Sequence, residues 1–324
     1  MVDIIFSMRL LRLLSFFVVA GALSGCTPPA QDQSQPQSQA TAPATAFPAD
    51  DLGRAINLKA PAKRVVSIGP GATEAIFALN AQDRLVGRDQ ISDYPAQTAK
   101  IPEVGDYTGP FVEKAIAVKP DLVIVQGETY DKARAENWQQ KIGVPVAILV
   151  PTSVDKVDKG IEKIATWLGA TEKLDEVTKA FPSRLNAPGY KTEKSWTVFY
   201  EVDRSPLWTA GKGTLIDSQL QALGWKNVAE DVESYKAFNV ETLLKRDPDF
   251  YIVTMAKPDR AKALSELRST PALKNLTAIK EGRVLIVEAD LVLRPSPRLP
   301  LGIQALANDL ATVIKQEKKT PAAQ

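Results

Sequence analysis

Val112-Glu113-Lys114-Ala115-Ile116-Ala117-Val118-Lys119-Pro120-Asp121-Leu122-Val123-Ile124-Val125 and Val240-Glu241-Thr242-Leu243-Leu244-Lys245-Arg246-Asp247-Pro248-Asp249-Phe250-Tyr251-Ile252-Val253 carry one unit twice, every landmark at equal spacing. Each reads as a helix opened by a glutamate, ended at Pro-Asp and followed by a buried strand. The residue before a proline avoids the helical region, which stops the helix. One such joint is common in α/β chains, but two in register point to two α/β lobes.

The surroundings extend this reading. Residues 64–68 form an apolar strand, Gly69-Pro70-Gly71 turns the chain, and 73–79 carries apolar residues at helical spacing. Strand-like runs follow at 85–87, 122–125 and 146–150, alternating with helical patterns at 112–118 and 131–142. This rhythm predicts a parallel sheet with helices on its faces. Residues 153–185 form a charged, amphipathic helical stretch broken by Gly169. A second set of strands is expected at 195–202, 206–209, 250–254 and 284–287, with helices at 215–223, 240–246, 259–267 and 301–315. The division is a leader at 1–26, a tether at 27–50, lobes at 51–152 and 191–316, a helical connection at 153–190, and a disordered tail at 317–324.

Composition removes whole classes of chemistry. The chain has 324 residues, 24% of them charged, and a net charge of +2. It has no basic block that would suit nucleic acid. With no histidine, imidazole acid–base catalysis and His-ligated metals are excluded. Cys26 is the single cysteine, so neither an intrachain disulfide nor a cysteine cluster can form. Met8, Arg9 and Arg12 precede an apolar run that ends in Leu23-Ser24-Gly25-Cys26, an order that resembles a bacterial lipoprotein signal. Cys26 would then be the lipidated residue, and Met8 suits a basic leader better as a start than Met1. Residues 27–48 are Pro, Gln, Ser, Ala and Thr with almost no large apolar group, a tether of about 25 Å mean span.

Two glycine motifs imitate nucleotide sites. Gly69-x-Gly71 lies between strand and helix, but Glu74 stands where the third glycine of a dinucleotide fingerprint belongs. Gly211-Lys212-Gly213-Thr214 has the wrong order for a phosphate loop and is better read as a cap, with Thr214 opening the next helix.

Asp51-Leu52-Gly53-Arg54, Pro61-Ala62-Lys63-Arg64-Val65-Val66-Ser67 and Ala72-Thr73-Glu74-Ala75-Ile76-Phe77-Ala78-Leu79 together resemble the amino-terminal lobe of class III periplasmic binding proteins. These are the substrate-binding proteins of ABC importers for vitamin B12, ferric siderophores or haem. Leu85-Val86-Gly87, Ser92-Asp93-Tyr94-Pro95, Val104-Gly105 and Arg294-Pro295-Ser296-Pro297-Arg298 continue the resemblance, which covers residues 51–315. It implies two Rossmann-like lobes joined by a long interlobe helix, with no enzymatic activity and no cofactor beyond a metal-chelate ligand. It also implies a monomer, lipid-anchored outside the cytoplasm, whose partners are an ABC permease and its ATPase and not nucleic acid. One glutamate per lobe would dock the permease, here Glu113 and Glu241. A helix dipole alone would favour a glutamate there by about 0.3–1 kcal/mol.

Open α/β sheets bind ligands at the carboxyl ends of their strands. The first lobe offers Asp93, Asp106, Tyr107, Gln126 and Tyr130 there, and the second offers Arg204, Trp208, Tyr235, Met255, Asp290 and Arg294. The expected ligand set is Asp93, Tyr107, Gln126, Arg204, Trp208, Tyr235, Asp290 and Arg294. Aromatic faces suit a macrocycle or catecholate, and arginine suits its anionic groups. Against the vitamin B12-binding members, Tyr107, Tyr235, Asp290 and Arg294 match, while Ile91 and Gln126 replace further aromatics. Tyr107 lies one place from the haem-binding spacing, and Pro182 interrupts the expected interlobe helix. Cobalamin or a ferric siderophore is the expected cargo. A carboxylate-based extracytoplasmic enzyme and a ligandless structural or sensory lipoprotein are the alternatives.

Overall fold

The computed structural model describes residues 47–184 and 191–317. The leader with Cys26, the tether up to residue 46, residues 185–190 of the connection and the tail from 318 lie outside the described residues.

In the first lobe the order is β1 (Val65–Ile68), α1 (Pro70–Ala78), β2 (Leu85–Asp89), β3 (Glu103–Asp106), β4 (Gly109–Pro110), α2 (Val112–Ala117), β5 (Leu122–Gln126), α3 (Lys132–Ile142) and β6 (Val146–Leu149). The sheet runs β4-β3-β2-β1-β5-β6 and is parallel except for the β3–β4 pair. Then come α4 (Val154–Leu168) and α5 (Leu174–Thr178). The second lobe follows with β7 (Thr197–Arg204), β8 (Leu207–Ala210), α6 (Leu215–Ala222), β9 (Lys226–Asn227), β10 (Tyr235–Ala237), α7 (Val240–Arg246), β11 (Phe250–Met255), α8 (Arg260–Ser269), α9 (Thr277–Lys280), β12 (Val284–Glu288), α10 (Ala289–Leu293) and α11 (Leu299–Glu317). Its sheet runs β10-β8-β7-β11-β12, with β9 beside β7. Here β7, β11 and β12 are parallel, whereas β8 is antiparallel to both β7 and β10.

The repeated unit holds in three dimensions. The chain leaves the helix through Lys119 in one lobe and Asp247 in the other, both left-handed with φ of 48° and 37°. The aspartate after the proline then fastens the neighbouring parallel strand. Asp121 accepts from the backbone N–H of Lys63 (2.8 Å) and Arg64 (3.0 Å), just before β1. Asp249 accepts from Thr197 N (2.9 Å) and Oγ1 (2.7 Å), at the start of β7. Pro-Asp is thus a joint with two functions: proline stops the helix, and the carboxylate sets the strand beside it.

The stretch expected as mostly one helix broken at Gly169 is divided, over residues 153–184, into α4, α5 and a short 3-10 turn. Helix α4 begins at Ser153, whose side chain accepts from Lys156 N, and ends at Gly169, left-handed at φ 60°. Its apolar face (Val154, Val157, Ile161, Ile164, Leu168) is buried at helical spacing. After α5, a short 3-10 turn at Pro182–Arg184 folds back, and Arg184 pairs with buried Asp158 (2.9 Å). Residues 47–50, grouped with the tether by composition, are fastened: Trp167 Nε1 donates to Pro48 O at 2.9 Å, and Asp50 is buried. No strand forms at 55–58. One apolar cluster joins Ile76 of α1, Ile164 of α4, Leu220 of α6 and Leu306 of α11, so a shared core spans both lobes.

Candidate functional site

Because β2 and β5 lie on opposite sides of β1, the first sheet has a crevice at the carboxyl ends of β1 and β5, where open α/β sheets bind ligands. The second lobe fills that crevice with residues 294–298. Gln126, at the end of β5, donates from Nε2 to Pro295 O (3.0 Å) and accepts from Ala72 N at Oε1 (2.9 Å). A Cβ on Gly71 would come within 2.0 Å of Pro295 O. The Gly-x-Gly pattern therefore admits the other lobe's backbone rather than a pyrophosphate.

Around this contact four ionic side chains cross between lobes. Arg294 donates from Nη1 to Asp93 at 2.7 Å, lies 3.6 Å from Glu74, and holds Asp290 through Nη2 at 3.0 Å. Its hydrogen bond holds the Asp93 carboxyl below the usual range. Arg298 forks onto Glu74 with two bonds of 2.7 Å and lies 3.9 Å over the Tyr94 ring. Both guanidiniums are largely covered, with side-chain exposures of 15% and 17%, and Glu74 is at 3%. Asp93, Gln126, Asp290 and Arg294 are thus brought together, as parts of a clasp that fastens one lobe to the other.

The other expected residues are placed differently. Arg204 forks onto Glu201 (2.7 and 3.0 Å) and reaches Glu266 (3.3 Å), while Glu201 also accepts from Tyr251 Oη at 2.6 Å. Its donors are therefore committed within its own lobe. Trp208 and Tyr235 pair with Ala237 and Ala210 across β8 and β10, a register that puts both aromatic rings on one face. Trp208 stays partly exposed, while Tyr235 packs on the shared core. Burial first, then Glu128 of the opposite lobe, pushes the Tyr235 phenol up, with Thr214 bonding it in opposition. Tyr107 projects from the β3–β4 turn at 76% exposure, and its carbonyl accepts from Tyr130 Oη at 2.9 Å. Tyr130, buried edge-on against Trp138, and Asp106, bonded to Thr108, are local supports. Met255 is half-buried at the end of β11.

Glu74, Tyr94, Arg298 and Glu128 belong to this site although sequence did not single them out. The Arg294-Pro295-Ser296-Pro297-Arg298 motif carried the signal for Arg298, but nothing local points to its partner. Glu128 is solvent-accessible, yet surrounding protein pushes its carboxyl up, against an opposing effect of Lys156. Glu113 and Glu241 sit in the first turns of α2 and α7, exposed and without an ion pair among the described residues. A cavity of about 400 Å³ lined by Thr197, Asn227, Asp231 and Arg246 lies at the opposite end of β7 from Arg204. That position removes it from the cleft chemistry. Among the described residues no group of three or more Cys, Asp or Glu is arranged to hold a metal ion, and no helix is long and apolar enough to cross a membrane.

Two α/β lobes meeting through the carboxyl ends of their strands define a bilobal binding protein. The chain belongs to the periplasmic binding protein family, whose model matches residues 65–291. It is 30% identical over 308 residues to YvrC of Bacillus subtilis, an uncharacterized ABC transporter substrate-binding lipoprotein, covering 91% of this chain and 95% of that one. It is 29% identical over 256 residues to a vitamin B12-binding protein of Salmonella choleraesuis, covering 78% and 91%. The periplasmic vitamin B12 binding protein BtuF of Vibrio cholerae shares the fold, with a TM-score of 0.68 at 24% identity over 79% of this chain and 99% of that one. These relatives are binding proteins, in line with the non-enzymatic reading.

Proposed function

We propose that this protein is the solute-binding lipoprotein of an ABC importer, anchored outside the cytoplasm through Cys26, and that it carries a metal chelate in the interlobe cleft. Cobalamin and ferric siderophores are the candidate cargoes. Trp208 and Tyr235 would offer one aromatic wall and Tyr107 the opposite rim, with Asp290 at the polar floor. The observation that carries the reading is the pair Glu113 and Glu241. They occupy the same position of the repeated unit, one per lobe, and both carboxylates are exposed and without an ion pair among the described residues. Each helix N-terminus favours its own glutamate, and the matched placement of one exposed carboxylate per lobe in addition suits a partner that grips both lobes through cations.

The test is reversal of both charges, Glu113→Arg with Glu241→Arg, with uptake and ligand affinity measured side by side. Uptake should disappear while affinity changes by less than about twofold, because neither residue is among the expected ligand contacts. Normal transport by the double variant would sink the docking assignment.

A further inference from the structure

We infer that the cleft selects a neutral or cationic chelate over an anionic one, and that Glu128 is the residue that sets this preference. The inference rests on the solute-binding reading and narrows its ligand class.

Arg204 and Arg294, the guanidiniums expected to meet an anionic ligand, already have carboxylate partners, and so does Arg298. Arg294 and Arg298 are shared among Asp93, Asp290 and Glu74, three carboxylates against two cations. Arg204 faces Glu201 and Glu266, two against one. An anionic group approaching Arg294 would have to displace Asp93 from a 2.7 Å bond and then lie beside both Asp93 and Asp290. Like charges brought together in a partly desolvated seam repel strongly.

Glu128 differs from all of these in having no hydrogen bond or ion pair among the described residues. It follows Gln126, which touches Pro295 of the second lobe, and precedes Tyr130, which supports the Tyr107 turn. Its field reaches Tyr235 on the opposite wall. Lys156 at the start of α4 acts on Glu128 only through its field, and its Nζ is bonded to Thr152 Oγ1 at 2.8 Å. Glu128 is therefore a free acceptor between the clasp, the aromatic wall and the rim. A free carboxylate there accepts from amide or amine arms of a ligand and repels carboxylate or catecholate arms.

The experiment is calorimetric titration of the full chain and of its Glu128→Gln variant with three probes. Cyanocobalamin is neutral overall and amide-bearing, haemin carries two propionates, and a ferric tricatecholate is polyanionic. The wild type should bind cyanocobalamin at least about tenfold more tightly than either anionic probe. Glu128→Gln should narrow that ratio by roughly three- to tenfold, with the thermal midpoint unchanged because the side chain is unbonded. Equal or tighter binding of an anionic probe by the wild type would overturn the selectivity. An unchanged ratio in the variant would overturn the assignment to Glu128. Binding of none of the three would overturn the chelate reading itself, and the inference with it.

Discussion

Replacing Arg298 by alanine would strip Glu74 of two charge-assisted bonds of 2.7 Å while leaving its carboxylate 3% exposed. Removing one partner of a buried ion pair costs about 3–5 kcal/mol. Arg294, 3.6 Å from the same carboxylate, offsets part of this, and loss of the contact over Tyr94 adds back about 0.5 kcal/mol. The expected loss is therefore about 3 kcal/mol, or roughly 6–10 °C in the thermal midpoint for a domain of this size. Because one apolar cluster runs through both lobes, the loss should appear as a shift of a single transition. Urea denaturation followed by tryptophan fluorescence measures it. The companion variant Glu74→Leu with Arg298→Met removes both charges, and should return to within about 1 kcal/mol of wild type. A single variant within about 0.5 kcal/mol of wild type, or a double variant as unstable as the single, would refute the clasp.

Two further predictions concern the joints behind the cleft. Asp249→Ala should destabilise by about 2 kcal/mol and Asp121→Ala by about 1 kcal/mol in the same assay, since the bonds of Asp249 to Thr197 are partly buried and those of Asp121 are exposed. Asp89 is buried with Oδ2 accepting from Gly69 N at 2.7 Å and Oδ1 unpartnered among the described residues, and burial raises its carboxyl above the ordinary value. Folding therefore favours the protonated form, and wild-type stability falls as pH rises from about 3.9 to the raised folded value. Asp89→Asn should be the more stable protein at pH 7, with an advantage that fades on acidification through that window. A pH-independent difference would contradict this account.

What sequence could show followed from burial. Strands β5 and β11 lie in the middle of their sheets and are covered on both faces, so Leu122-Val123-Ile124-Val125 and Phe250-Tyr251-Ile252-Val253 are uninterrupted apolar runs. Edge pieces such as Gly109–Pro110 and Lys226–Asn227 are two residues long and leave no periodic trace. The amphipathic pattern at 153–185 continues through Leu174 and Val177 beyond the end of α4, which made three elements read as nearly one. At the site, residue types were legible but their pairing was not. Arg298 finds Glu74 across 224 residues, and no local spacing carries that information. Arg294 likewise looked like a free cation for a ligand because Asp93 is 201 residues away, whereas Arg204 pairs with Glu201 only three residues back, a contact the apolar strand pattern does not reveal.

The most direct test of the solute-binding account is equilibrium titration of the purified full chain with cyanocobalamin and with a ferric siderophore, following intrinsic fluorescence. Trp208 and Tyr235 share one face of the paired strands β8 and β10, so if that face is the ligand wall proposed above, one equivalent of a bound chelate should quench the emission with a dissociation constant in the submicromolar range. Trp208→Ala should abolish most of that signal and weaken binding by about tenfold, as expected for loss of one stacking ring worth about 1.5 kcal/mol. Saturable binding of either chelate at one equivalent is the expected result. The absence of quenching and of binding heat with both would contradict the account.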